Sequence, residues 1–206
     1  LTDNTIVVFA SDHGETMTSH SVADPKNSIW RESLNIPFLV RYPGHLQHRV
    51  DDLLLSTPDI MPTLLGLAGL GDRIPESVEG RDFSAVLRLD TVQPERPRAA
   101  LYMRNLDGER DAEGLVRGFF PEARGLKTAT HTMELCIDRD GALKRVLLYD
   151  DVQDPYQLQS LDPATCPELF ATLCRELAGL LRENDDVWFR ERVLSALIPY
   201  DTENQC

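Results

Sequence analysis

Hydrophobic positions fall into two regimes along the chain. In the first, unbroken apolar runs are separated by polar loops. Ile6-Val7-Val8-Phe9-Ala10 is continuous, β-branched and aromatic, which predicts a strand buried on both faces. Ile36-Pro37-Phe38-Leu39-Val40 predicts a second buried strand, with its proline at the start where a missing N–H is tolerated, and Tyr42-Pro43-Gly44 ends it in a turn. Leu53-Leu54-Leu55 reads as another short strand. Ser56 or Thr57 then caps a helix beginning at Pro58. Its Ile60, Leu64, Leu67 and Ala68 form a core-facing stripe that Met61 and Leu65 widen, and Gly69 and Gly71 end it.

Pro94 and Pro97, set among charges, mark a boundary, and the periodicity changes beyond it. Ala99 to Met103 reads as a strand, and residues 104 to 123, around Phe119-Phe120, as an excursion. Arg124 to Thr130, Met133 to Asp138 and Leu143 to Tyr149 read as three strands, with Asp138-Arg139-Asp140-Gly141 as a hairpin turn. Short connections make this sheet antiparallel. Leu169-Phe170, Leu173-Cys174, Leu177 and Leu180-Leu181 recur at helical spacing within Pro167 to Asn184, which predicts an amphipathic helix over one face of that sheet. A shorter helix follows around Trp188 and Phe189, and the last residues fray.

The polar cluster with most chemical content begins where the first strand ends. Ser11-Asp12-His13-Gly14 puts a carboxylate oxygen beside an imidazole nitrogen, a pairing that suits a divalent cation, with Gly14 letting the backbone turn away. The same triplet also suits a plain turn in which Asp12 bonds the local backbone. A polar loop over residues 15 to 28 carries His20 and Lys26, and loops of this kind carry function more often than cores do. His45 and His48 have no acidic neighbour at ligand spacing and read as surface residues.

Residues 4 to 44, NTIVVFASDHGETMTSHSVADPKNSIWRESLNIPFLVRYPG, resemble the C-terminal signature region of the sulfatase family, within the alkaline-phosphatase-like superfamily of metal-dependent hydrolases. The resemblance extends through Ser56-Thr57-Pro58-Asp59, Glu79-Gly80-Arg81-Asp82-Phe83, Leu148-Tyr149-Asp150 and Asp154-Pro155-Tyr156. It implies an α/β fold in which residues 1–95 form the C-terminal part of the catalytic domain, a piece of an alkaline-phosphatase-like sandwich with a mixed sheet and helices. Residues 96–206 would form a small C-terminal subdomain, an antiparallel sheet packed on a helix. It further implies Asp12 and His13 as metal ligands, Lys26 as the cation that contacts the substrate's anionic group, and His20 as a residue close to the site. The metal implied is Ca²⁺, or Mn²⁺ or Zn²⁺ in the phosphonate monoester or phosphodiester hydrolases of the same superfamily, and the substrate a small-molecule or carbohydrate sulfate ester. The chain departs from the pattern in having Thr18-Ser19-His20-Ser21 where many relatives place glycines beside the histidine, and in placing Lys26 one residue further from the Asp-His pair.

The family nucleophile, a Cys or Ser in Cys/Ser-x-Pro-x-Arg, does not occur in the sequence, and Cys166-Pro167-Glu168 has its proline in the wrong place. The chain is therefore expected to be the C-terminal portion of a sulfatase whose site an upstream segment of the same protein completes, inactive alone. A phosphonate or phosphodiester hydrolase, or a noncatalytic assembly or recognition module, are the other readings. Composition narrows the partners. Lys and Arg number 21 against 34 Asp and Glu, for a net charge of −13, which argues against nucleic acid. No apolar run approaches the roughly 20 residues that span a bilayer, so no membrane segment is expected. Cys136, Cys166, Cys174 and Cys206 lack a disulfide framework and read as free thiols. A soluble protein, cytoplasmic or periplasmic, is the expectation, with the compartment open.

Overall fold

The computed structural model describes residues 2–21, 26–105, 122–138 and 140–198. Two antiparallel sheets organise them. β1 (Val7–Ala10) and β2 (Phe38–Arg41) form a two-stranded ribbon, with Val8 opposite Val40 and Phe9 opposite Leu39. Between them lie a 3-10 turn at Ser19–Ser21 and the short helix α1 (Arg31–Leu34). Helices α2 (Thr57–Leu67) and α3 (Ser84–Arg88) follow. β3 (Ala99–Arg104), β4 (Ala123–Thr128), β5 (His131–Ile137) and β6 (Leu143–Asp150) then form a four-stranded meander in sequence order. α4 (Pro167–Glu183), α5 (Val187–Arg190) and α6 (Val193–Leu197) complete the described chain. The mixed α/β class and the C-terminal sheet on a helix are as the sequence implies. The excursion around Phe119-Phe120, Arg139 of the hairpin, and the chain end with Cys206 lie outside the described residues.

The main core lies between the meander and α4. Alternation on β5 sends Met133, Leu135 and Ile137 to one face, where they meet Leu126 of β4 and Leu148 of β6. Leu173, Cys174, Leu177, Ala178 and Leu181 present the buried stripe of α4 to them. Trp188 of α5 closes one end, its Nε1 donating to Glu122 at 2.7 Å and its ring under the buried Arg124 guanidinium. Each of these large apolar side chains contributes on the order of 1.5–3 kcal/mol by leaving water, so this layer holds the C-terminal half together.

Three expectations are corrected. The ribbon is not buried on both faces: Val7, Phe9 and Leu39 are 51%, 64% and 59% exposed. β1 and β2 pack chiefly on each other, and Val8, Phe38 and Val40 on the opposite face gain only partial cover. Leu53-Leu54-Leu55 forms no strand, because Asp51 accepts the Leu53 N–H at 3.0 Å and the Leu55 N–H turns back to the Leu53 carbonyl, which leaves no ladder to join. The buried face of α2 is Asp59, Pro62, Thr63, Gly66 and Leu67 rather than the stripe through Ile60 and Leu64, and Met61 is 45% exposed. Hydrogen bonds decide that facing: the Arg81 N–H donates to Asp59 and the Phe83 N–H to Thr63, at 2.8 and 3.0 Å, while Gly66 makes room for the Asp82 and Ser84 side chains. Satisfying buried polar groups outweighs a modest gain in apolar area. The helix ends as expected at Gly69, whose φ of 74° and the Leu70 N–H bond to the Leu65 carbonyl make a Schellman turn.

Candidate functional site

β1 delivers the chain at Ala10 to the turn Ser11-Asp12-His13-Gly14, where both candidate ligands face solvent. Asp12 Oδ1 accepts the His13 N–H at 3.0 Å, the local bond that a plain turn also makes. His13 Nδ1 lies 2.7 Å from the Gly14 carbonyl oxygen. A carbonyl only accepts, so Nδ1 donates to it, which leaves Nε2 as the ring nitrogen turned away from that bond and placed to serve as a ligand. Nε2 and Asp12 Oδ2 are 3.6 Å apart, with the side chains 41% and 88% exposed. Two donors each about 2.3–2.6 Å from one hard cation and roughly at right angles stand about that far apart, so the pair fits a shared divalent ion. It fits as part of a shell: among the described residues no group of three or more His, Cys, Asp or Glu side chains converges to hold a metal.

Gly14 is needed for close approach rather than for a left-handed turn. A methyl carbon there would lie 2.0 Å from the Glu32 carbonyl oxygen. The gap is closed by two backbone hydrogen bonds, Gly14 N–H to the Ser33 carbonyl at 2.9 Å and Glu15 N–H to the Glu32 carbonyl at 2.7 Å. α1 thus grips the Asp12-His13 turn through its backbone. It grips the loop as well. The Ser33 hydroxyl donates to the Lys26 carbonyl, and the Glu32 carboxylate stands 3.4 Å from His20 Nε2 and accepts from the Ser19 hydroxyl at 3.3 Å. Ser33 therefore joins the Asp12-His13 turn and the Lys26 loop through one residue, which brings these two candidate elements together.

His20 is placed differently. Its side chain is 7% exposed, and its ring is stacked on Trp30 with centroids 4.6 Å apart. The structure joins it to Glu32 and Trp30, not to the two candidate ligands. Met17, Thr18 and His20 all have positive φ, 52°, 73° and 59°. Thr18 thus holds, at the cost of strain, a backbone conformation that a glycine adopts freely. Lys26 is exposed, and its loop is held by both halves of the chain. Arg104 Nη1 of β3 donates to the Asn27 carbonyl at 2.7 Å, Trp30 Nε1 donates to the Tyr149 hydroxyl at 3.0 Å, and the Arg31 N–H donates to Gln157 at 2.7 Å. Trp30-Arg31-Glu32-Ser33 lies within the signature region over residues 4 to 44, where the sequence alone assigns it no role. Tyr149 lies in the Leu148-Tyr149-Asp150 motif without a stated role, and Arg104 and Gln157 carry no local signal that would have found them.

Other expectations about side chains hold. His45 and His48 are exposed, and His45 stacks on Tyr42. Cys136, Cys166 and Cys174 are free thiols. Among the described residues no helix is long and apolar enough to cross a membrane.

Comparison with known proteins identifies the scaffold. A solved structure from work on glycosaminoglycan metabolism by Bacteroides thetaiotaomicron superposes with a TM-score of 0.88 at 56% identity, over 96% of this chain and 41% of that one. The Endo-4-O-sulfatase of Bacteroides thetaiotaomicron is 56% identical over 201 residues, 97% of this chain and 40% of that protein. The Ulvan-active sulfatase of Formosa agariphila is 34% identical over 194 residues, 89% of this chain and 33% of its own. The family model for Sulfatase matches residues 1–70, which include the Asp12-His13 turn, Lys26 and α1. The scaffold is that of the alkaline-phosphatase-like superfamily. Within it, the chain belongs to the sulfatase family and corresponds to the C-terminal portion of its relatives, spanning about two fifths of the length of the first of them.

Proposed function

We propose that the protein of which this chain forms a portion is a sulfuric ester hydrolase acting on a sulfated carbohydrate, a 4-O-sulfate ester being the first choice by similarity to the Endo-4-O-sulfatase. The observation that carries this reading is the exposed pair at the end of β1, with His13 Nε2 and Asp12 Oδ2 3.6 Å apart and Nδ1 committed to the Gly14 carbonyl. In this reading Asp12 and His13 hold part of the shell of a divalent cation, Ca²⁺ by preference because the carboxylate is a hard oxygen donor. Bound there, the cation supplies Lewis-acid stabilisation of negative charge on the ester. Lys26 neutralises charge on the sulfate with its ammonium. His20, walled in by Trp30 and Glu32, orders the loop between the ligand turn and Lys26. Residues 1–95 contribute the rim of the catalytic domain and residues 96–206 a subdomain that steadies it, while the nucleophile and the remaining ligands come from an upstream segment of the same protein.

The test is sulfate release by the intact protein from a 4-O-sulfated oligosaccharide and from an aryl sulfate, beside an aryl phosphonate. Sulfate release at the higher kcat/KM supports the reading, and a phosphonate preference overturns it. Asp12→Asn and His13→Ala should lower bound metal, whereas Lys26→Ala should slow turnover at unchanged metal content. Residues 1–206 alone should bind Ca²⁺ weakly, because two ligands leave most of a shell of about 6–8 oxygens to water, and should show no turnover.

A further inference from the structure

The four-stranded sheet has a second face, opposite α4, and its register assembles a polar layer there. Arg104, Ala123, Cys136 and Arg145 lie in one row across the strands, and Tyr102, Gly125, Glu134 and Leu147 in the next. Glu134 is fully buried, with the Arg145 guanidinium at 2.6 Å and Arg104 Nη1 at 3.6 Å. Residues 27–31 run across this face. The Asn27 carbonyl meets Arg104, the Ile29 side chain sits over the gap left by Gly125, and Trp30 reaches Tyr149. A Cβ at Gly125 would lie 2.2 Å from the Met133 carbonyl oxygen and 2.7 Å from Ile29 Cδ1, so the strand needs glycine there and Ile29 fills the space it leaves.

We infer that Arg104, oriented by Glu134, is a positioning residue for Lys26, holding the peptide beside that lysine so that its ammonium is presented at a fixed place. This rests on the assignment of Lys26 to the substrate's anionic group. Two successive carbonyls are pinned from opposite sides. Ser33 of α1 takes that of Lys26, and Arg104 of β3 takes that of Asn27. A lysine has a long flexible stem, so fixing the backbone at its base is the means open to the protein for limiting where the charge can go. The guanidinium suits the task because its Nη1 bonds the Asn27 carbonyl at 2.7 Å while lying 3.6 Å from the Glu134 carboxylate, whose charge favours that placement. Stability alone is a poor reason for the arrangement. Glu134 Oε2 is buried without a hydrogen bond, and a buried charged cluster is often no more stabilising than apolar residues of similar volume.

A double-mutant cycle in the intact protein tests this, with kcat/KM on a sulfate ester, bound metal and the thermal midpoint measured for Arg104→Met, Lys26→Ala and the pair. Arg104→Met should lower kcat/KM by about 10–100-fold, the range a misplacement near 1 Å produces, at unchanged metal content. In the Lys26→Ala background it should change kcat/KM by less than about twofold, because its target is gone. An equal loss in both backgrounds overturns the inference and leaves the role of Lys26 standing. No effect of Lys26→Ala alone overturns the assignment of Lys26, and the inference with it. Glu134→Gln, which removes the charge facing Arg104 while keeping the side chain's shape, takes the same cycle should Arg104→Met not fold, with the same outcomes deciding.

Discussion

Gly14→Ala puts the coupling between the ligand turn and α1 to a quantitative test. The added methyl would stand 2.0 Å from the Glu32 carbonyl oxygen, 2.9 Å from the Glu32 carbonyl carbon and 3.0 Å from the Ser33 oxygen. An unstrained carbon-to-oxygen contact needs about 3.3 Å, so the turn and the helix must separate by more than an ångström. Backbone atoms cannot swing aside as a side-chain tip does. The separation breaks the bonds from Gly14 and Glu15 to Ser33 and Glu32, 2.9 and 2.7 Å long, at about 0.5–1.5 kcal/mol each. The expected destabilisation is therefore on the order of 1–3 kcal/mol before any strain is counted. The effect on rate in the proposed site is of similar size, because a shift near 1 Å of Asp12 and His13 relative to Lys26 would cost roughly 100-fold, about 2.7 kcal/mol. Thermal unfolding and kcat/KM of the intact protein, with metal content by elemental analysis, make the assay. An alanine variant within about threefold of the parent rate and with an unchanged midpoint would refute the claim that this close approach sets the site.

Further outcomes follow from other parts of the fold. Leu177→Ala, at the centre of the α4 stripe, should destabilise by about 2–5 kcal/mol in denaturant titration. Burial pushes the Asp51 carboxyl up, but hydrogen bonds from Arg96 and Arg49 outweigh it and hold the group below its ordinary 3.8. Its contribution to stability is thus fully present above pH 3.8 and is lost as pH falls through the lower folded value. Asp51→Asn should flatten that part of the acid-unfolding profile, and an unaltered profile would discount the cluster. Burial pushes the Cys174 thiol up to about 12, so at neutral pH alkylation should spare it in the native protein and reach it only on unfolding, as mass spectrometry would show.

Elements that carry their own determinants were legible in the sequence. The α4 stripe, the strands of the meander and the glycine stop at Gly69 are set by residues a few positions apart, and the structure has them as expected. Where the facing of an element depends on a distant partner, periodicity misleads. α2 turns Asp59 and Thr63 inward because residues 81–83 offer N–H groups there, and nothing in residues 57–67 announces that. The apolar run of β1 states a need for cover without saying what provides it. For the candidate site, Asp12, His13 and Lys26 were readable because their residue types are chemical signals in a recognised order. The bonds that hold them are not, since α1 acts largely through backbone atoms and Arg104 reaches Asn27 across 77 positions.

The two tryptophans of this chain sit at different seams, and that makes the molecule self-reporting. Trp30, flat against an imidazole and bonded to Tyr149, senses whether the lysine-bearing loop is seated on the meander, whereas Trp188, packed between α4 and β4, senses the core layer between helix and sheet. Replacing either with phenylalanine leaves one fluorophore, so undocking and global melting become separable optical signals. If the loop lifts before the layer melts, the Trp30 signal will move first.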